Sequence, residues 1–397
     1  LEPENVEIVL INDPSINAFV AGGQVVYIHT GLLAAADTAN EVQGVIAHEL
    51  GHITAGHVVR FDERVRAAQG ITILSLLLGV GALLAGAGEA GMGALMAGQQ
   101  AAMGSFLAFN RNQEAATDLA GARYLSGAGI TGKGMISFFE KLRNFEIRRG
   151  YSQADEAAYG RTHPLSGDRI QVLRGLLRED AAWDTPEDAQ LQDRFERVQA
   201  KLYGYLAEPE RTLNAYPPSD MSIPARYARA YAWHKDARVE KALAETEALL
   251  ALEPANPYFL ELEGQVLLES GRPAEALAPL RRATELTLNQ PLIASMFGHA
   301  LIATEDEANY AEAERVLRAA VGRDRMNPFA WYQLGMVYAA RGDMARARLA
   351  SAEQQVMARR YPEALRSAQA AEAALPRGTP DWIRAQDIAL QARSALE

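Results

Sequence analysis

The chain has 397 residues, 49% hydrophobic and 22% charged, enough for two or three domains with ample core, which excludes a disordered protein. A net charge of −11 argues against nonspecific binding to nucleic acid or anionic lipid, since both need a basic surface. With no cysteine there are no disulfides, thiolate metal ligands or thiol nucleophile, although the compartment stays open.

Residues 1–35 read as short strands and turns. Val6–Leu10 alternates, and Asn12-Asp13-Pro14 signals a turn. Gly22-Gly23 then introduces a β-rich run, Gln24-Val25-Val26-Tyr27-Ile28-His29-Thr30, ending at Gly31. Helical periodicity takes over from about Glu41 and persists to the C-terminus. The expected fold class is therefore mainly α with a small β element.

The first helix carries His48-Glu49-Leu50-Gly51-His52. Positions i and i+4 share a helix face, so both imidazoles can reach one metal ion. Two neutral imidazoles suit zinc, and Glu49 beside an open position could activate water. His57 lies nine residues beyond His48, about 180° around the helix, and is expected to be structural. From Ile71 to Gly88 no residue is charged, which approaches the length of a membrane-spanning helix. The run is dense in Gly and Ala, so a helical hairpin packed within the protein is expected, with membrane contact as the alternative.

A third metal ligand is offered by Asn110–Asp118. A helical Glu114-x-x-x-Asp118 puts both carboxylates on one face. Glu114 could ligate while Asp118 accepts the N–H of a ligating imidazole. The alternative is an exposed acidic face paired with Arg111 and Arg123. His29, His234 and His299 suggest no partners and are read as structural. Pro209, Pro217, Pro218 and Pro224 then cluster in a stretch read as a linker.

Beyond the linker the chain repeats. Prolines recur at 224, 257, 291 and 328, and Gly264, Gly271 and Ala276 match Gly335, Gly342 and Ala347. Gly298 fills the first of these places in the third unit, where Thr304-Glu305-Asp306 supplies extra length. The first unit has Tyr231 where Gly belongs. Trp331–Tyr338 reads W-x2-L-G-x2-Y, which resembles the tetratricopeptide repeat of period 34. Such repeats stack into an α-solenoid with a concave face for a polypeptide, whereas an ordinary antiparallel bundle would not. After Ser351 the pattern blurs into a helical cap.

HExxH followed some sixty residues later by Arg111-x-x-Glu114-x-x-Thr117-Asp118 resembles the gluzincin family that includes HtpX and the CAAX prenyl protease. Thr117 departs from the family's usual Ala. Asn17-Ala18-Phe19, Gly22-Gly23 and Gly31-Leu32-Leu33 resemble the family's strand before the catalytic helix, and Thr162-His163-Pro164-Leu165 with Asp168-Arg169-Ile170 resembles a downstream motif.

The resemblance implies a zinc endopeptidase with one zinc per chain on His48, His52 and Glu114, Glu49 as general base, and Asp118 behind a ligand. It also implies that His163 can take the fourth zinc position and hold the enzyme latent; the alternative is a hydrogen-bond donor near the site. Arg169 is expected to orient that loop or a substrate carbonyl. Substrate is expected to add as a strand along Gln24, Val25, Val26, Tyr27 and Ile28.

Relatives with C-terminal repeats act on outer-membrane β-barrel proteins during assembly. By that likeness the protein is expected to be periplasmic, exported with its signal segment absent. Expected partners are unfolded or misassembled proteins, the barrel-assembly machinery through the repeats, no nucleic acid, and peripheral membrane through 71–109. The expected domains are a peptidase at 1–205 with a hydrophobic insert at about 70–109, a Pro-rich linker at 206–223, and repeats with a cap at 224–397. A non-proteolytic assembly scaffold and a membrane-associated housekeeping protease are the rival readings.

Overall fold

The computed structural model describes residues 2–56, 112–149 and 167–397, together with Met96 and His163. The chain divides into two compact units, Leu1–Leu202 and Tyr203–Glu397. His57, Arg111 and nearly all of the expected hydrophobic insert lie outside the described residues. Among the described residues no helix is long and apolar enough to cross a membrane.

The first unit opens with a three-stranded sheet of β1 (Glu7–Ile11), β2 (Ala18–Ala21) and β3 (Val25–His29), in the order β1-β3-β2. Gly22 and Gly23 turn with φ of 66° and 106°, which closes β2 and β3 into an antiparallel hairpin. β1 returns on the other side of β3 and pairs with it in parallel, from Glu7↔Val25 to Ile11↔His29.

This order corrects the expectation that substrate adds to residues 24–30. β3 is the central strand with both edges paired, and the Gln24 carbonyl accepts from the Glu7 N–H at 3.1 Å. The reason is the long-range parallel pairing of β1, which no local pattern announces. His29 ends β3 with its Nδ1 2.9 Å from the Ser15 hydroxyl, a structural contact.

Among the described residues, five helices follow α1 (Thr30–Ala35): α2 (Ala39–Thr54), α3 (residues 112–127), α4 (Lys133–Arg149), α5 (Gly167–Arg178) and α6 (Ala189–Leu206). Val26, Ile28, Leu32, Val45, Met135, Phe139 and Leu173 form their shared core. Asn40 fastens α2 to α4, donating to the Thr131 carbonyl at 3.0 Å and accepting from the Gly134 N–H at 2.7 Å.

The second unit is helical. After α7 (Pro209–Ala215) come α8 (Ile223–Lys235) and α9 (Val239–Leu252), α10 (Pro257–Glu269) and α11 (Pro273–Leu286), α12 (Pro291–Ala303) and α13 (Tyr310–Arg323), and α14 (Pro328–Ala340) and α15 (Met344–Met357). The last pair is α16 (Tyr361–Ala374) and α17 (Pro380–Ser394), so the expected cap is itself a helix pair. Each recurring proline sits in the first turn of the leading helix, where its missing N–H breaks no helical bond.

Small residues let the paired helices touch: a Cβ on Gly264 would lie 2.4 Å from Leu280 Cγ, and one on Gly298 2.5 Å from Leu317 Cγ. Tyr231 stands in the first pair because Gly204 on α6 supplies the gap, its Cβ direction meeting the Ala228 carbonyl at 2.5 Å. The extra length in the third pair is a 3-10 turn, Glu307–Asn309.

The linker expectation is also corrected. Residues 209–215 are helical, and the following turn is gripped by buried Arg229, which donates to the carbonyls of Pro217 and Asp220 at 2.9 and 2.7 Å. His234 pairs with Glu269 at 2.8 Å, and His299 meets the Phe329 ring edge-on.

Candidate metal centre

α2 starts at Thr38, whose hydroxyl accepts from the Glu41 N–H at 3.2 Å. Glu41 reaches back to the Asp37 N–H at 2.7 Å and binds Lys141 at 2.7 Å, which fixes the helix origin. Three turns later His48 and His52 lie on one face, and their Nε2 atoms are 3.2 Å apart. α3 crosses closely because both helices are bare at the crossing. A Cβ on Gly51 would come within 2.9 Å of Thr117, and one on Gly121 within 3.1 Å of the Ala47 backbone. Thr117, the departure from the family pattern, fills this crossing and is fully buried.

That approach brings Glu114 to the two imidazoles, 3.3 Å from His48 Nε2 and 3.4 Å from His52 Nε2. His163 completes the group through Nδ1, which lies 3.3 Å from His48 Nε2, 3.2 Å from His52 Nε2 and 3.1 Å from Glu114 Oε2. All four residues are buried and their donor atoms converge. The donor groups lie 3.1 to 3.4 Å apart, with Glu114 meeting His48 and His163 through Oε2 and His52 through Oε1, which is close to the edge length of a tetrahedron around one ion. Metal–nitrogen bonds of about 2.0–2.1 Å give edges of about 3.3–3.4 Å. The donor set of three imidazoles and a carboxylate is also one that zinc favours. The residues present fit a divalent ion.

The surroundings set the electrostatics. His48 Nδ1 lies 3.0 Å from Asp118 Oδ1, and Phe139 packs edge-on against the His48 ring. Burial alone would push the His48 imidazole down, but Asp118 and Glu114 outweigh it and hold it up at about 10. Burial pushes Glu114 up, yet His163 and His48 bring it well below the usual carboxylate range. A divalent cation would be attracted by the same negative charge that attracts these protons.

Glu49 has a different setting. It is fully buried, neither carboxylate oxygen has a hydrogen-bond partner among the described residues, and His163 Nε2 is 3.6 Å away. Burial raises it above the ordinary glutamate range. An ionisable group left this way fits proton transfer better than architecture.

The Arg169 guanidinium grips Asp118 with two hydrogen bonds of 2.9 Å and lies 3.2 Å from Glu114, so its contacts here include both carboxylates of α3. Phe139 was not foreseen; it comes from a helix 91 residues after His48, and nothing local marks it.

An HExxH pair, a glutamate from a crossing helix and a buried carboxylate with no hydrogen-bond partner among the described residues define a metallopeptidase. Residues 1–177 match the model of Peptidase family M48. The chain is similar to the beta-barrel assembly-enhancing protease of Escherichia coli (strain K12), 26% identical over 364 residues that cover 90% of this chain and 72% of that one. The protein of the same name from Yersinia pestis is 26% identical over 72% of this chain, which spans 58% of that relative's length. Metalloprotease LoiP of Escherichia coli is 30% identical over 45% of this chain and 65% of that protein.

Proposed function

We propose that the protein is a zinc endopeptidase of the bacterial periplasm that acts on outer-membrane β-barrel proteins during their assembly, with the repeats recruiting protein partners and His163 holding the site latent. The observation that carries this reading is the set of donor separations from 3.1 to 3.4 Å, beside a buried Glu49 with no hydrogen-bond partner among the described residues. The names of the relatives support the barrel-protein substrates and, through them, the compartment.

A bound zinc ion would polarise the scissile carbonyl and increase the acidity of water. Glu49 takes the proton of the attacking water and passes it to the leaving amine. Asp118 keeps His48 oriented through Nδ1, which leaves Nε2 directed at the donor centre. The outer edge of β2 has no partner among the described residues and β2 packs against α2, so an extended substrate is proposed to add there. Backbone pairing of that kind selects unfolded segments over particular sequences. His163, as a fourth ligand, would fill the position that the reaction needs open.

The test compares wild type with Glu49→Gln on an unfolded substrate. The variant should retain about one zinc per chain and lose about two to four orders of magnitude in cleavage rate, the usual worth of a general acid–base group. Equal rates would sink the mechanism. X-ray absorption at the zinc edge should count three imidazoles in the resting protein; two would refute the latent state.

A further inference from the structure

The role of Arg169 is not explained by hydrolysis itself. It is buried, it enters from the first turn of α5, and it follows His163 by six residues. Its Nε and Nη2 each donate to Asp118 at 2.9 Å, while Nη2 is also 3.2 Å from Glu114 Oε2. One planar fork therefore spans two carboxylates that lie one turn apart on α3. Glu114 points to the donor centre, and Asp118 touches His48 Nδ1.

Charge makes the same point. Glu49, Glu114 and Asp118 are at most 4% exposed, and each carries a negative charge when the base is ready to act. A divalent ion offsets two of these charges, and Arg169 is placed to offset the third. The imidazoles can then stay neutral, as ligation requires. Without the guanidinium, the loaded centre would hold an uncompensated buried charge.

We propose that Arg169 is a positioning residue of the metal centre: it locks Asp118 and Glu114 in their ligating arrangement and supplies the remaining compensating charge. The inference rests on the metallopeptidase reading. A lysine could replace the charge but not the two-pronged grip.

The test measures zinc affinity of the full chain by competition with a chromophoric chelator, and the visible spectrum of the cobalt-substituted protein. Arg169→Gln should weaken zinc binding by about 10–100-fold and shift the cobalt bands. Arg169→Lys should recover part of the affinity. Combined with Asp118→Asn, the loss should be smaller than the product of the two single losses, since both act on His48. Melting of each metal-free variant checks folding, and Arg169→Lys carries the test if the glutamine variant does not fold. Affinity within twofold of wild type with unchanged bands would overturn the proposal, as would losses that multiply fully. A wild type that binds no metal would instead remove the metallopeptidase reading.

Discussion

His163 Nδ1 stands within 3.3 Å of the three other donors, and Nε2 of the same ring is 3.6 Å from Glu49. One imidazole thus stands beside both the donor centre and the proposed base. On the proposed reading, His163→Ala should raise cleavage of an unfolded substrate, self-cleavage included, by tenfold or more; a large loss would favour a hydrogen-bond-donor role (roughly the worth of one general catalytic group). The HExxH spacing made His48 and His52 legible at once, because i and i+4 share a face whatever the tertiary fold. The Glu114–Asp118 spacing was legible for the same reason. The partners of Arg169 were not, because they are set by how α5 packs on α3, across 51 residues of sequence.

At the scale of elements, bare helix crossings decide geometry. Gly298→Ala would push a Cβ to 2.5 Å from Leu317 Cγ, and overpacking costs about 1–3 kcal/mol, more than the helix propensity gained. Gly322→Ala, in the helix α13 facing it, meets open space and should instead stabilise by up to about 1 kcal/mol. Urea titration of the two variants should move the second unit's midpoint in opposite directions. Helices were readable from periodicity and the repeat from its glycines, but strand order was not. β1 and β3 alternate equally well in either order, and only the pairing itself makes β3 central. The clustered prolines suggested a linker; Arg229, buried and bound to the carbonyls of that turn, makes it an ordered cap instead.

For the whole molecule, the two units should respond to different conditions. Chelation removes an ion that would bind the folded first unit and not its unfolded chain. The calorimetric transition of the first unit should therefore fall, while that of the second stays. Alkali should act on the second unit. Burial pushes Tyr338 up to about 12, and Tyr227 and Tyr231 are also raised by burial. Below pH 10 both folded and unfolded states keep these protons. Above it the unfolded state releases them first, so stability falls as pH rises from about 10 to about 12. Circular dichroism of the second unit's helices against pH measures this; helicity unchanged through pH 12 would contradict it.

The convergence of four donor residues also bears on how the protein would keep an ion. Four protein ligands with no open vertex are the arrangement of sites that hold zinc for structural ends, where exchange is slow. If His163 is the fourth, resting molecules are metal reservoirs, and each withdrawal of that ring opens a route for loss as well as for catalysis. A zinc-poor envelope would then drain the working fraction first. In a chelator chase, His163→Ala should release zinc faster than wild type, even with no substrate present.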